Sequence, residues 1–532
     1  MQPNAIFQIL YQRFQRLQYI SYFYPKQITM RFLSLIFVAF LVLSTVSCRE
    51  DFEFTPSKGK LEFSRDTVYL DTVFTNIGSS TYTLKVYNRS SSDILIPSVR
   101  LGEGENSKYR LMVDGMSGKV FQNVELLAKD SLFVFIETTI DYNEYTNSET
   151  SFLYTDKIEF DSGSNYQKVE LVTLVQDAVF LYPHRDENGV YETLTIGDEP
   201  VYGFFLDEND PVNGNELVWT NEKPYVIYGY AAVGSGKTLE VQPGAKVHFH
   251  DSSGLIVAQN ASLQVNGTLE EPVIFEGDRL EPFFAEVPGQ WDTVWLTSGS
   301  VNNKVSNAII KNSIIGFWVQ DAPLELENTQ IYNSSNFGIM AQTGVITAFN
   351  TVIGSAGQSS VALTIGGDYH FTHSTIGNFW NRSSRTYSAL ILDNTYETID
   401  GFLPLSAQFD NCIVFGANNL ELNINKAENS VFNYNFNHSL LKFIDTTNRF
   451  ADNPLYDFDN AELFQNCLIS ESFNAHKAEF ANTATNDFRI LETSAAKATA
   501  NWNISSGTQD ILGNPRTNPS DMGAYNFTIL EE

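Results

Sequence analysis

Between residues 236 and 277 the chain reads GKTLEVQPGAKVHFHDSSGLIVAQNASLQVNGTLEEPVIFEG, short β-branched runs separated by turn residues. The spacing is too tight for helices and too regular for a loop. It predicts strands over Thr238–Val241, Lys246–Phe249, 255–257, 262–265 and 273–275, with a turn at Asn266-Gly267. Leu239 and Val241, Val247 and Phe249, and Leu263 and Val265 keep a two-residue period, so one face of each strand is apolar and needs cover. One coil of such strands cannot cover its own inner face, but stacked coils can. The pattern therefore predicts a solenoid.

Downstream the rhythm continues in IIKNSIIGF, LENTQI, AFNTVIG, FTHSTIG, QFDNCIVFG, FNHSLL and FQNCLI. Aligned on Asn312, Asn328, Asn350, His373, Asn411, His438 and Asn466, these segments are 16, 22, 23, 38, 27 and 28 residues apart. The unit is thus a coil of some twenty-odd residues carrying insertions. Three residues after each anchor stands an aliphatic (Ile315, Ile331, Ile353, Ile376, Val414, Leu441, Ile469), expected to face inward together with the small residue two before it. The position between them admits Gln330 and Thr375 and is expected to face out, which makes Ile413 an outward residue. Cys412 and Cys467 take equivalent inward positions with one coil between them. That separation is too great for a disulfide, so two free thiols are expected.

The segments PG-x-K-V-x-F at 243–249 and L-x-V-x-GT-x-x-x-P-V-x-F at 263–275 resemble the first coils of the pectate-lyase-like β-helix repeat family. The end of the chain resembles the closing cassette of that family: NDFRIL from Asn486, TSAA from Thr493, DILGNPR from Asp510 and DMGAY from Asp521, with Asn526 where Glu is usual. The resemblance runs from Tyr225 to the end. It implies an all-β chain built on a right-handed parallel β-helix, and it brings in enzymes that act on acidic glycans through paired Asp residues or calcium-bound carboxylates. The motifs that would carry such chemistry (Asn-Thr-Asp, Asp-Asp and Gly-His-Gly on successive coils) are missing, and no acidic pair repeats between Asn312 and Asn466. No catalytic residue, metal site or cofactor is assigned. His248 with His250, and His370 with His373, lack a third ligand at usable spacing and read as structural.

Ahead of the solenoid, alternating runs predict strands over Thr67–Phe74, 80–86, 94–99, 124–125, Ser131–Thr138, 157–160 and 166–175. Their order resembles the immunoglobulin-like β-sandwich modules that precede larger domains in bacterial surface proteins. The triplets beginning at Asp66, Asp71, Asp130 and Asp292 resemble bacterial O-glycosylation acceptors, and they also fit turns entering strands.

MRFLSLIFVAFLVLSTVSC, from Met30 to Cys48, has a basic start, an apolar stretch and a small residue before the cysteine, which together read as a secretion signal. Its end resembles a bacterial lipobox and implies a lipid on Cys48, while the acidic cluster that follows resembles a signal for the outer leaflet. The expected organisation is 1–47 signal peptide (true start Met30), 48–59 lipidated tether, 60–182 sandwich, 183–235 linker and cap, and 236–532 β-helix. A formal charge of −30 disfavours nucleic acid, since phosphate recognition needs clustered Lys and Arg.

The expected protein is anchored by lipid in the outer membrane and binds or scaffolds, with a glycan or an outer-membrane protein as partner. The alternative is a divergent polysaccharide lyase or glycoside hydrolase. The candidate binding residues are aromatics with polar neighbours: Phe379, Trp380 and Arg382 in the longest insertion, and Trp291 with Trp295 near Phe317 and Trp318.

Overall fold

The computed structural model describes residues 53–145, 151–196, 199–398 and 401–529. The expected signal segment and Cys48 lie outside them. Two β architectures follow one another. The first is a pair of facing sheets. One runs in the order Thr55–Pro56, Ile94–Leu101, Ser151–Phe160, Gln167–Gln176, Thr67–Phe74, with Val120–Leu126 also on Ile94–Leu101. The other runs Glu62–Phe63, Tyr82–Tyr87, Ser131–Thr138, Tyr109–Val113, Met116–Gly118. Period-two residues from both sheets, among them Val68, Leu84, Val86, Val99, Val134, Ile136, Ile158 and Val169, meet in one buried core. The hairpin of Tyr109–Val113 and Met116–Gly118 is absent from the sequence reading. Its signal was present: Tyr109, Leu111 and Val113 alternate inward, and Asp114-Gly115 both take positive φ, as a tight hairpin turn requires.

The second architecture is a parallel β-helix with three sheets. Sheet 1 has eleven strands from Val179–Leu181 to Leu468–Ser470, sheet 2 ten from Thr193–Ile196 to Leu422–Asn425, and sheet 3 ten from Val218–Trp219 to Phe464–Gln465. Each strand pairs in parallel with its equivalent one coil on, save the antiparallel hairpin of Thr193–Ile196 with Glu199–Phe205 that closes the open edge of sheet 2. Coil strands begin at Val179, inside the stretch assigned to sandwich and linker: Val179–Leu181 pairs with Tyr225–Ile227, and Val218–Trp219 with Thr238–Val241. The five strands expected between 236 and 277 are all present, and Leu239, Val241, Val247, Phe249, Leu263 and Val265 are fully buried.

The anchor residues sit at the corner from sheet 3 to sheet 1, and their role is conformational. Asn328, Asn350, His373, Asn411, His438 and Asn466 all have φ between 47° and 54°, a left-handed conformation that asparagine tolerates better than most residues. Some also bond along the axis, Asn350 Nδ2 to Asn328 Oδ1 at 3.0 Å and Asn411 Nδ2 to His373 Nε2 at 3.0 Å. Asn312 does not belong to this set. It follows its sheet 1 strand, as Asn333 follows the next, and the true member of the corner is Asn307. The inward aliphatic of that coil is accordingly Ile310, fully buried, and Ile315 is only half-buried.

Inward of the corner runs a column of small residues, Ala308, Thr329, Thr351, Ser374, Cys412, Ser439 and Cys467. Both cysteines are free thiols. Burial pushes the Cys467 thiol up to about 12, so it stays protonated and unreactive.

The outer face of sheet 1 is covered in three stretches. Phe74 of the sandwich packs tilted against His248, ring centroids 5.1 Å apart, while Leu70, Thr72 and 77–80 face Tyr228, His250 and 278–281. Asn312 and Asn333 then bond Ala285 and Glu286 of a crossing loop. Beyond it, the segment 478–525 lies back along the helix as a strap. Val352 packs with Phe488, Ile511, Ala524 and Tyr525, while Ile413 and Leu440 pack with Ala478, Ile490, Ala496 and Met522. Arg516, 4% exposed, pins the strap by donating to Asn350 Oδ1 at 2.9 Å and to the carbonyls of Gly523 and Ala524 at 3.0 and 3.3 Å. The closing cassette therefore covers a sheet face, and Ile413, expected to face solvent, is 1% exposed.

Candidate functional site

With sheet 1 covered, the described coils present the outer faces of sheets 2 and 3. On sheet 2 the register brings one residue from each of nine successive strands into a row: Phe205, Ala232, Ile256, Trp295, Trp318, Met340, Ala362, Ile391 and Asn423. Eight of the nine are apolar. Phe205 is 55% exposed, Trp295, Trp318 and Met340 are half-buried, and the smaller members are sunk between them. Two residues along each later strand a polar row runs beside it: Gln320, Gln342, Thr364, Asp393 and Asn425. Neighbouring coils are roughly 4.8 Å apart, so the stripe is roughly 38 Å long.

Trp295 and Trp318 stack with centroids 4.4 Å apart and planes 10° from parallel, each covering a face of the other. What they show to solvent is their rims. Their N–H groups feed a polarised chain: Trp295 Nε1 donates to Gln320 Oε1 at 2.6 Å, Trp318 Nε1 to Gln342 Oε1 at 3.2 Å, and Gln320 Nε2 to the same oxygen at 3.0 Å. At the far end Asn425 Nδ2 donates to Asp393 Oδ2 at 2.9 Å. Sheet 2 thus offers a preformed strip, apolar on one side and amide, hydroxyl and carboxylate on the other.

The expected candidates separate. Trp295 lies at the centre of the stripe. Trp291 is core: it is fully buried, stacked on Phe249 at 4.4 Å, with Nε1 bonded to the Lys311 carbonyl at 2.9 Å. Phe379 is half-buried and packs against Phe480 and Phe488 of the strap, so much of its ring holds structure. Trp380 is half-buried, with Nε1 on Ser383 Oγ at 2.9 Å, and Arg382 is exposed and donates to the Glu286 carbonyl. These residues edge the sheet 1 side and do not join Trp295. The sequence reading missed Met340, Gln320, Gln342, Thr364, Asp393 and Asn425. A signal was available in the triplets WVQ, MAQ, ALT, ILD and NIN, where an inward aliphatic separates the two outward residues of each strand.

Sheet 3 has a different character. Its outward row of Glu240, Gln264, Lys304, Glu325, Thr347, His370, Gln408 and Asn435 is polar throughout. Beside the Lys304–Glu325 ion pair at 2.8 Å, the sheet carries a pin across three coils. The buried Asp410 accepts from His370 Nε2 at 2.9 Å, Gln408 Nε2 at 2.7 Å and Asn437 Nδ2 at 2.7 Å. Burial pushes its carboxyl up, but these hydrogen bonds outweigh burial and hold it below the ordinary range, while the bond to Asp410 raises His370 against its own partial burial. The raised imidazole stabilises the fold at and below its ordinary pKa and stops doing so as pH rises through its folded value. The lowered carboxyl stabilises above its ordinary pKa and stops as pH falls through its folded value. The pin is therefore expected to be strongest between about pH 4 and 6.5. Asp410→Asn should flatten the fall in melting temperature above that window, as followed by circular dichroism across pH.

Among the described residues no cluster of three or more His, Cys, Asp or Glu side chains is placed to hold a metal ion, and no helix is long and apolar enough to cross a membrane. His248 and His250 are each engaged separately, with the Gly277 carbonyl at 3.2 Å and Asp278 at 2.7 Å. Thr293 is 4% exposed, which removes the triplet at Asp292 as a glycosylation acceptor in the folded chain.

Residues 212–317 match the family model of a pectate-lyase like beta helix domain. The matched stretch spans early coils of all three sheets, from Val218–Trp219 into Ile315–Gln320. No curated protein matches the chain significantly. Among solved structures the chain is similar to the periplasmic chaperone SfaE (14% identity, 22% of this chain and 57% of that one, TM-score 0.15). It is also similar to a PapD-like domain of human CEP192 (13%, 24% and 89%, 0.15) and to a family 123 glycoside hydrolase from Clostridium perfringens (11%, 22% and 26%, 0.15). The chain thus covers little more than half of the first of these, and scores this low carry no argument about fold or function.

Proposed function

We propose that this chain is a lipid-anchored binding protein of the cell envelope, which holds an extended ligand along sheet 2 and performs no chemistry on it. The observation that carries the reading is the unbroken stripe with its polar row, assembled from nine strands between Glu199–Phe205 and Leu422–Asn425. Hydrolysis of a glycosidic bond takes two carboxyl groups flanking it, and Asp393 is the one carboxylate among the stripe and row positions. A β-helix by itself confers no activity. The sandwich, read as an immunoglobulin-like spacer, would carry the coils away from the membrane, and its packing on sheet 1 leaves sheet 2 clear. The reading takes Cys48 as the anchor because of the signal and lipobox before it, and the acidic run after it supports the outer leaflet.

Two experiments test the parts separately. A photo-crosslinking side chain at Met340 in intact cells is expected to capture an envelope polymer or protein that the same group at Thr347, on sheet 3, does not. Equal capture at both positions removes sheet 2 as the site. Cys48→Ala is expected to move nearly all of the protein from the membrane fraction to the soluble one, because one or two acyl chains would supply the attachment. Retention of that variant in membranes after a high-salt wash rejects the lipid anchor.

A further inference from the structure

Taking sheet 2 as the binding face, we infer that its ligand is an uncharged glycan chain. The inference rests on the proposed function and narrows it to one chemistry. The first ground is charge. None of the positions of the stripe or the polar row is Lys or Arg, Asp393 adds a negative charge, and the whole chain carries −30. A polyanion laid along this strip would meet repulsion with no cation to offset it.

The second ground is the form of the hydrogen-bonding groups. Gln320, Gln342, Thr364, Asp393 and Asn425 mix donors and acceptors at the coil repeat, and sugar hydroxyls both donate and accept. The amide chain is directional: Gln342 Oε1 takes both Trp318 Nε1 and Gln320 Nε2, and its own Nε2 has no acceptor among the described residues. It is left to donate outward. The third ground is shape. A sugar chain has apolar C–H patches and a hydroxyl rim side by side, as the strip has an apolar row beside a polar one. A polypeptide is the poorer fit. The strands here lie inside a sheet, so their backbone groups are already paired with the coils on either side and an added strand gains no main-chain ladder.

The test is affinity gel electrophoresis of the full chain in soluble neutral polysaccharides (mixed-linkage β-glucan, galactomannan, xyloglucan and dextran), each run beside its carboxymethylated derivative and beside reduced, unfolded casein. Retardation by at least one neutral glycan is expected, with its carboxymethyl form about tenfold weaker. Trp318→Ala and, separately, the milder Gln342→Leu should each reduce retardation about tenfold with the far-ultraviolet spectrum unchanged. If Trp318→Ala does not fold, Gln342→Leu decides. Stronger retardation by the carboxymethylated series, or by casein in place of glycan, overturns the ligand class while sheet 2 remains the site if the two variants abolish it. Retardation that neither variant alters, or none in any gel, overturns the inference, and the crosslinking at Met340 then tells whether the binding face falls with it.

Discussion

Ile413→Asp is expected to be as damaging as Val414→Asp, each lowering stability on the order of 4 kcal/mol and the melting temperature on the order of 10 °C. Val414 points into the coil interior and Ile413 away from it, and both are 0–1% exposed. The two substitutions act in different places. At Val414 the carboxylate enters the continuous core column between Ile376 and Leu441. At Ile413 it enters the layer between sheet 1 and the strap, beside Leu440, Ile490, Ala496 and Met522. Hydrogen exchange separates them: Ile413→Asp should release the amides of 478–525 first, and Val414→Asp those of the neighbouring coils. Gln330→Asp, at the outward position of a coil whose residue is only half-buried, should stay within about 0.5 kcal/mol of the parent. A near-native melt for Ile413→Asp would mean that the strap is not seated on sheet 1.

Arg385→Ala should lower stability by roughly 3–5 kcal/mol, because it leaves a buried carboxylate without its partner. The Arg385 and Glu421 side chains are 2% and 0% exposed, with Nη2 to Oε1 at 2.6 Å and Nη1 to Oε2 at 2.9 Å. Each Glu421 oxygen takes a second donor, Asn418 N at 2.7 Å and Ala389 N at 2.8 Å. With four donors aimed at it, the carboxyl has no place for a proton and is ionised. Burial pushes the Glu421 carboxyl up while Arg385 and the backbone donors pull it down, and the desolvation of such a buried pair offsets much of its attraction. It follows that replacing both partners with apolar residues, Arg385→Met with Glu421→Leu, should recover much of what the single change loses. The ion pair joins the insertion after Asn378 to the coil beginning at Leu422, and Arg385 Nη2 also bonds the Asn378 carbonyl at 3.0 Å. A double variant no more stable than Arg385→Ala would show instead that the pair is needed to hold this insertion in place.

What could be read from the sequence is what neighbours in the chain decide between themselves. The period-two alternation put Leu239, Val241, Val247 and Phe249 inward, because a strand turns successive side chains to opposite faces whatever lies around it. The column from Thr329 to Cys467 followed from the same rule, and the anchor residues took the left-handed corner because asparagine bears that conformation at low cost. Local rules fail at corners. Asn307 and Asn312 both have positive φ but turn different corners, and nothing within five residues of either says which. Trp291 and Trp295 have the parity of one face in an unbroken strand, yet a corner lies between them and sends one to the core and the other to the stripe. Only the tertiary structure settled the outer faces. An outward residue is exposed or buried according to what another part of the chain lays over it, and Ile413 is buried by residues some 65 to 110 positions later. The sheet 2 strip is likewise a product of stacking: its residues come together because parallel pairing sets each coil in register on the last, a relation between distant strands that no single strand encodes.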